Sequence, residues 1–201
     1  IEKNGLDPVK KDLKYLGSLR SLRDVATAMG SVRLSTMSIF DGGITPDDKN
    51  PDAYSIMLVQ GGLGMPDRDY YLKDDAKLEA VRVAYRAYLA QLLTLAGQGT
   101  DATARADAVF AFEKAVATGQ WSRVESRDED KTYNRWEAAD FEAKAPGFPW
   151  GDFAAGLELP MQSYFIVAQP SAFQAEAKLF ADTPLAVLKD YYALRTLDTY
   201  A

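Results

Sequence analysis

Gly61-Gly62-Leu63-Gly64-Met65-Pro66-Asp67-Arg68-Asp69-Tyr70-Tyr71-Leu72 is the stretch from which the rest of the chain can be ordered. Glycine costs a helix about 1 kcal/mol against alanine, and proline about 3, so the run reads as a loop. Its two sides differ in kind. Upstream, Ser35 to Phe40 and Tyr54 to Gln60 are apolar and β-branched enough for strands. Between them, Asp41 to Asp52 is turn chemistry, with glycines for positive φ and prolines that block extension. The expected element is a hairpin with a long polar connection. Downstream, Asp74 or Asp75 caps the clearest helix. Leu78, Val81, Tyr85, Tyr88, Leu89, Leu92 and Leu93 mark one face of it, and Gly97 stops it.

Further out the pattern is helical. Leu6 to Gly30 reads as two short helices. Asp7 caps the first with Pro8 in its first turn, Leu13, Leu16 and Leu19 follow, and Gly17-Ser18 breaks the run. Leu22, Val25, Ala26 and Met29 stripe the second, which ends at Gly30. Val109, Phe112 and Val116 place a helix between Asp101 and Trp121, and Trp136, Ala139 and Phe141 a short one. Phe148-Pro149-Trp150 is a bend, Trp150 to Leu159 is helical before Pro160, and Tyr164 to Ala168 is a strand. Ser171 to Phe180 and Pro184 to Tyr200 are the last helices. The final one carries Leu185, Leu188, Tyr192, Leu194 and Leu197 and meets no stop signal, which reads as a truncated chain. The expected fold class is mainly α, a multi-helix domain with a minor β-hairpin. No linker-like shift in composition interrupts residues 1–201, which are expected to form a single domain.

Composition removes several function classes. With 201 residues, 47% of them hydrophobic, the chain can bury a real core. A net charge of −6 disfavours nucleic acid as a partner. Lys10, Lys11 and Lys14, interrupted by Asp7 and Asp12, read as a solvated helix face. No apolar run approaches the ~20 residues of a membrane span. Ile1-Glu2-Lys3-Asn4 is neither an initiator start nor a leader, and reads as a processed or trimmed beginning. Cysteine is absent, so disulfides, thiolate nucleophiles and thiolate metal ligands are excluded. That fits a reducing compartment or a domain large enough to need no staples.

Histidine is absent too. A Ser–His–Asp triad is therefore impossible, and Ser35, Ser55 and Ser163 have no imidazole to deprotonate them. A peptidase zinc held by two histidines one helical turn apart cannot be assembled from this chain either. Gly61 to Gly64 lacks the Lys-Ser/Thr of a phosphate loop. Asp47/Asp48, Asp74/Asp75 and the cluster Glu125, Asp128, Glu129, Asp130 do not follow calcium-loop spacing and read as caps and solvated faces. A carboxylate-dependent hydrolase would need an acidic pair across a cleft. Trp121, Trp136, Trp150 and the eleven tyrosines read as core rather than as a platform for bases.

The motifs also follow one another in a specific order. Asp47-Asp48-Lys49-Asn50 precedes a strand ending in Gln60, and Gly62 to Tyr71 follows. Glu113 to Ala117, Trp121, Glu125-Ser126-Arg127-Asp128 and Thr132-Tyr133-Asn134 come next. Phe148-Pro149-Trp150, Gln169-Pro170 and the helix from Thr183 to Tyr200 complete the series. From about Leu6 onward this resembles the N-terminal lobe of the neprilysin and endothelin-converting-enzyme family of zinc metalloendopeptidases. The Gly62–Tyr71 signature is the specific part, and Met65 stands where the family has leucine. The resemblance implies two largely helical lobes around a chamber. The C-terminal lobe carries H-E-x-x-H and a downstream glutamate, and its zinc polarises the scissile carbonyl and activates water. This chain matches the roof, which admits only peptides of limited size.

The expected function is thus an N-terminal lobe fragment of a zinc metalloendopeptidase that hydrolyses oligopeptides. Zinc is bound outside this chain, which supplies no catalytic residue and no metal ligand, and substrate-binding residues are not identified. The implied partners are the catalytic lobe of the same polypeptide and peptide substrates. The alternative is a stand-alone, non-catalytic helical binding module. A cysteine-free, alanine-rich version looks bacterial, and an extracytoplasmic place, periplasmic or secreted, is favoured over a cytoplasmic one. Arg68 between Asp67 and Asp69 reads as a two-pronged fork that locks the hairpin to the long helix. The rival reading turns Arg68 toward substrate; the family's known substrate-carboxylate arginines lie outside the matched segment and do not supply that role. Tyr70 and Tyr71 add apolar area with a polar tip.

Overall fold

The computed structural model describes residues 5–31, 34, 38–158 and 163–200. Helices dominate, in the expected order except that Asp69–Leu72 and Glu129–Thr132 carry no apolar stripe that predicts them. The helices are α1 (Lys10–Ser18), α2 (Leu22–Gly30), α3 (Asp69–Leu72), α4 (Ala76–Leu95), α5 (Ala102–Gly119), α6 (Glu129–Thr132), α7 (Phe141–Lys144), α8 (Trp150–Gly156), α9 (Pro170–Asp182) and α10 (Leu185–Thr199). The strands are β1 (Phe40–Asp47), β2 (Asn50–Gln60), β3 (Arg135–Glu137) and β4 (Tyr164–Val167). The chain is mainly α with a small sheet, as its patterning implies.

That sheet is larger than a hairpin. Its order is β1-β2-β4-β3, with β1/β2 and β3/β4 antiparallel and β2/β4 parallel through Met57↔Ile166 and Leu58↔Val167. The long polar connection is not there. β1 occupies most of it, and only Asp48 and Lys49 turn the chain before Asn50. Glycines and Pro46 misled the sequence reading because β1 is an edge strand, where proline and solvent-facing polar residues are tolerated. The expected strand start at Ser35, with Thr36 and Met37, lies outside the described residues, as do Leu159 and Pro160. Trp136 belongs to β3 rather than to a helix, and the helical turn follows only at Phe141. The last four residues of the 61–72 run close into α3.

Helix ends follow local chemistry. Asp75 caps α4 by accepting from the N–H groups of Lys77 and Leu78 at 2.8 and 3.0 Å. Ser21 and Asp24 form a reciprocal capping box on α2. Asp7 does not cap α1, because the turn through Pro8 delays the helix to Lys10, and Asp7 pairs with Lys10 instead.

Rings crowd the middle of the core. Phe40 at the start of β1 stacks on Phe173 of α9 at 4.6 Å and lies 4.8 Å from Trp150. Phe148 meets Phe180 edge-on at 4.7 Å. Such pairs contribute about 0.5–1.5 kcal/mol each beyond their buried area. Trp150 resolves its polar edge by donating from Nε1 to the Ala145 carbonyl at 2.7 Å. The Phe148-Pro149-Trp150 bend thus nails α8 to the sheet and α9. On its other side α8 crosses α2 at backbone contact. A Cβ on Gly156 would sit 2.3 Å from the Thr27 carbonyl oxygen.

Gly156→Ala is expected to cost about 1–3 kcal/mol, the usual penalty for overpacking. Gly17→Ala, where an added Cβ meets nothing within 4 Å, is expected to be neutral or stabilising. Thermal melts of the two variants check the pair.

Candidate functional site

Where β2 ends, its pairing passes from backbone to side chains. Gln60 donates from Nε2 to the Trp121 carbonyl and accepts the Trp121 N–H at Oε1, at 2.9 and 2.8 Å. The Gln60 N–H donates to Gln169 Oε1 at 3.0 Å. Gln120 Nε2 reaches the Gly61 carbonyl at 2.6 Å and Glu176 Oε1 at 3.1 Å. Three glutamines thus continue the ladder and aim the chain into the glycine-rich loop.

The loop is then held from beneath. Tyr71, 1% exposed, accepts the N–H groups of Gly64 and Met65 at 3.1 and 3.0 Å and donates to Glu113 Oε2 at 2.8 Å. Tyr85 of α4 donates to the same oxygen at 2.9 Å, and Arg195 of α10 lies 3.6 Å from Glu113 Oε1. Tyr191 donates to the Gly62 carbonyl at 3.0 Å. Gly64 must be glycine here: a Cβ would fall 1.8 Å from the Tyr85 hydroxyl oxygen. Met65 packs with Tyr71 and Ala117 in a small core of its own.

Glu113 is fully buried. Burial raises its pKa above the ordinary glutamate value, while the Arg195 charge and the two tyrosine hydroxyls pull it back. Glu176 is also fully buried, and burial pushes its pKa well above the ordinary value, while the Gln120 donor pulls it back; this favours the neutral acid. The raised pKa sets the sign of a pH effect. The folded chain keeps a proton that the unfolded chain releases, so this contribution is complete below the unfolded value and is lost as pH rises toward the folded one.

Arg68 is not the fork that its flanks imply. Asp67 pairs with Arg123 at 3.0 Å and Asp69 with Lys73 at 2.8 Å. The residue that ties the loop to α4 is Arg82, which bonds Glu79 at 2.7 Å and the carbonyls of Tyr70 and Lys73 at 2.9 and 3.1 Å. Arg82 is buried where the stripe reading placed Val81, which is exposed. Above the loop lies a cleft of about 360 Å³ lined by Gln60 to Leu63, Met65 to Arg68, Gln120, Trp121, Arg123, Ser126 and Gln169. Trp121 is therefore a wall of this cleft rather than core, donating from Nε1 to Ser171 at 2.7 Å.

The other acidic residues behave largely as caps. Asp128 caps α6, and Glu125 accepts from the N–H and hydroxyl of Ser122 at 2.8 and 2.6 Å. Asp47 departs from that reading. It is 3% exposed and accepts from Tyr133 at 2.7 Å and Tyr164 at 3.1 Å, tying the hairpin turn to β4 and holding its carboxyl below the ordinary aspartate value. Glu113 and Glu176 went unnoticed as site residues in the sequence. The signal was present: each interrupts an apolar stripe, at Val109–Phe112–Glu113–Val116 and Ala172–Phe173–Glu176–Ala177–Phe180. The lining does not fit a peptidase zinc. Histidine and cysteine are absent from the chain, and no three carboxylates are grouped to hold a metal among the described residues.

A helical shell with a small mixed sheet, a glutamine-braced glycine loop and two buried glutamates defines a scaffold with a cleft. The model for the N-terminal part of peptidase family M13 matches residues 1–201. The chain belongs to that family and corresponds to its N-terminal region. It is 33% identical to endothelin-converting enzyme 1 of Bos taurus over 129 residues, which are 63% of this chain and 17% of that protein. The Homo sapiens enzyme is 32% identical over the same length. Among solved structures, Mycobacterium tuberculosis zinc metalloprotease Zmp1 in complex with inhibitor is similar with a TM-score of 0.90 and 26% identity, covering 98% of this chain and 30% of that one. PepO from Lactobacillus rhamnosis HN001, 19% identical with a TM-score of 0.75 over 97% of this chain and 31% of its own, shares the fold. The chain thus spans under a third of the length of these proteins.

Two outcomes test the buried hub. Tyr71→Phe removes the acceptor of two loop N–H groups and a donor to Glu113, so it is expected to cost about 1–3 kcal/mol. Faster amide exchange at Gly64 and Met65 is the local readout. Glu176→Gln supplies a permanently neutral isostere and is expected to match the wild type near pH 4 and to exceed its stability at neutral pH. Melting temperature as a function of pH checks it, and equal slopes for the two proteins would contradict the assignment.

Proposed function

We propose that this chain is the N-terminal, chamber-covering lobe of a zinc metalloendopeptidase. The zinc, its ligands and the catalytic glutamate stand on another lobe of the same polypeptide. The observation that carries this reading is a likeness over 98% of the chain to less than a third of a zinc metalloprotease, in a sequence without histidine. Zinc-dependent peptide-bond hydrolysis needs a metal-activated water, and this segment has no histidine to hold the metal. Its role is to position and exclude. As one unit, residues 1–201 roof the chamber, keep bulk water from the reacting centre and limit the size of the peptides that enter. The same reading gives the protein a bacterial source, on the strength of its cysteine-free, alanine-rich composition, and an extracytoplasmic place, with a cytoplasmic one as the alternative.

The purified chain, incubated with zinc and a fluorogenic oligopeptide, is expected to show no cleavage above background. Robust turnover that a chelator abolishes would refute the proposal. A gene that stops just after Ala201 would instead favour the non-catalytic module.

A further inference from the structure

The carboxylates near Arg68 each have a nearer partner, although the Arg68 charge also acts on Asp69 and Glu125. Arg123 takes Asp67, Lys73 takes Asp69, and Ser122 takes Glu125. Arg68 makes no ion pair among the described residues, and its Nε is buried without a hydrogen-bond partner. Ser126 Oγ, in the wall of the same cleft, is likewise buried and unpartnered. Beside them, the side-chain donors of Gln60 and Gln120 are spent on the backbone and on Glu176. These two donor groups, one of them charged, line a cleft in a chain of net charge −6.

From this we infer that the cleft over the glycine loop is a binding site for a peptide carboxylate. A guanidinium edge matches a planar two-oxygen group, and a single cation whose charge already acts on two carboxylates suits a monoanion better than a phosphate dianion. Leu63, Met65 and Trp121 form apolar walls for the carbon stem behind such a group. At about 360 Å³ the cleft is near the lower end of the ~300–1,000 Å³ typical of small-ligand sites, which suits one residue rather than a long segment. The inference rests on the peptide-handling role proposed above and names a chemical class of peptide that role does not specify. An acidic side chain and a chain-terminal carboxylate both carry the required chemistry.

Trp121 reports on the cleft, because Trp136 and Trp150 are buried elsewhere at 5% and 6% exposure. Tryptophan fluorescence of the full chain is titrated with three short peptides. One is acetylated and amidated with a single glutamate, one has glutamine in its place, and one is neutral with a free C-terminus. A saturable change is expected with a carboxylate-bearing peptide, and binding about tenfold or more weaker with the glutamine peptide, as befits a charged hydrogen bond of about 1.5–3 kcal/mol. The tighter of the two carboxylate peptides identifies the source. Arg68→Gln is expected to lose about tenfold or more in affinity, Arg68→Lys to retain part, and Ser126→Ala to weaken binding less. Melting temperature should fall little in Arg68→Gln, since no hydrogen bond among the described residues is lost and only the attraction to Asp69 and Glu125 goes. Equal binding of the glutamate and glutamine peptides, unchanged affinity in Arg68→Gln, or no response to any carboxylate peptide would overturn the inference. The readout needs neither zinc nor cleavage, so it fails or succeeds independently of the catalytic assay.

Discussion

Glu113 brings a carboxylate to a point that water does not reach, and the surrounding architecture answers it. Burying one such charge costs several kcal/mol even after relaxation, and it persists only where donors converge with good geometry. Here they come from Tyr71 on α3, Tyr85 on α4 and Arg195 on α10, while the carboxylate itself rides on α5. No two of these helices can shift without leaving a buried polar group unpaired. The same Tyr71 oxygen accepts two loop N–H groups, so the constraint passes directly from the helical core to the glycine loop.

A second carboxyl group solves the same problem in the opposite way. Glu176 pairs with no cation among the described residues, and burial pushes its pKa well above the ordinary value, which favours a neutral partner for Gln120. Together the charged and the neutral acid fix both ends of the loop, one beneath Gly64 and the other beside Gly61. A loop so thoroughly hydrogen-bonded is a rigid floor. Arg68 and Ser126, which line the cleft, each keep a buried polar atom without a hydrogen-bond partner. The cleft therefore reads as a surface kept for something outside the segment, which suits a lobe that covers a chamber.

Legibility in the sequence varied with the kind of interaction. Helices with clear apolar stripes, such as α5 with Val109, Phe112 and Val116, were placed correctly because periodicity reports burial directly. The hairpin was misjudged because Pro46 and the paired glycines signal turns unless one knows that β1 lies at a sheet edge. β3 and its pairing to β4 join residues far apart in the chain, and three residues carry too little pattern to announce a strand. Arg68 and Arg82 are equally basic in sequence, yet only the fold decides that Arg82 meets two backbone carbonyls and that the neighbours of Arg68 are claimed by other cations.

What the sequence determined alone was the inventory: a helical chain, no imidazole, no thiol, and a glycine loop between a strand and a long helix. Those follow from side-chain type and local spacing, which no partner can alter. Tertiary structure decided which charges are paired, which carboxyl keeps its proton, and which guanidinium is left facing a cleft. Each of those depends on distances of a few ångströms between residues tens of positions apart, and on the low dielectric that packing creates around them. Neither exists until the helices have closed on one another.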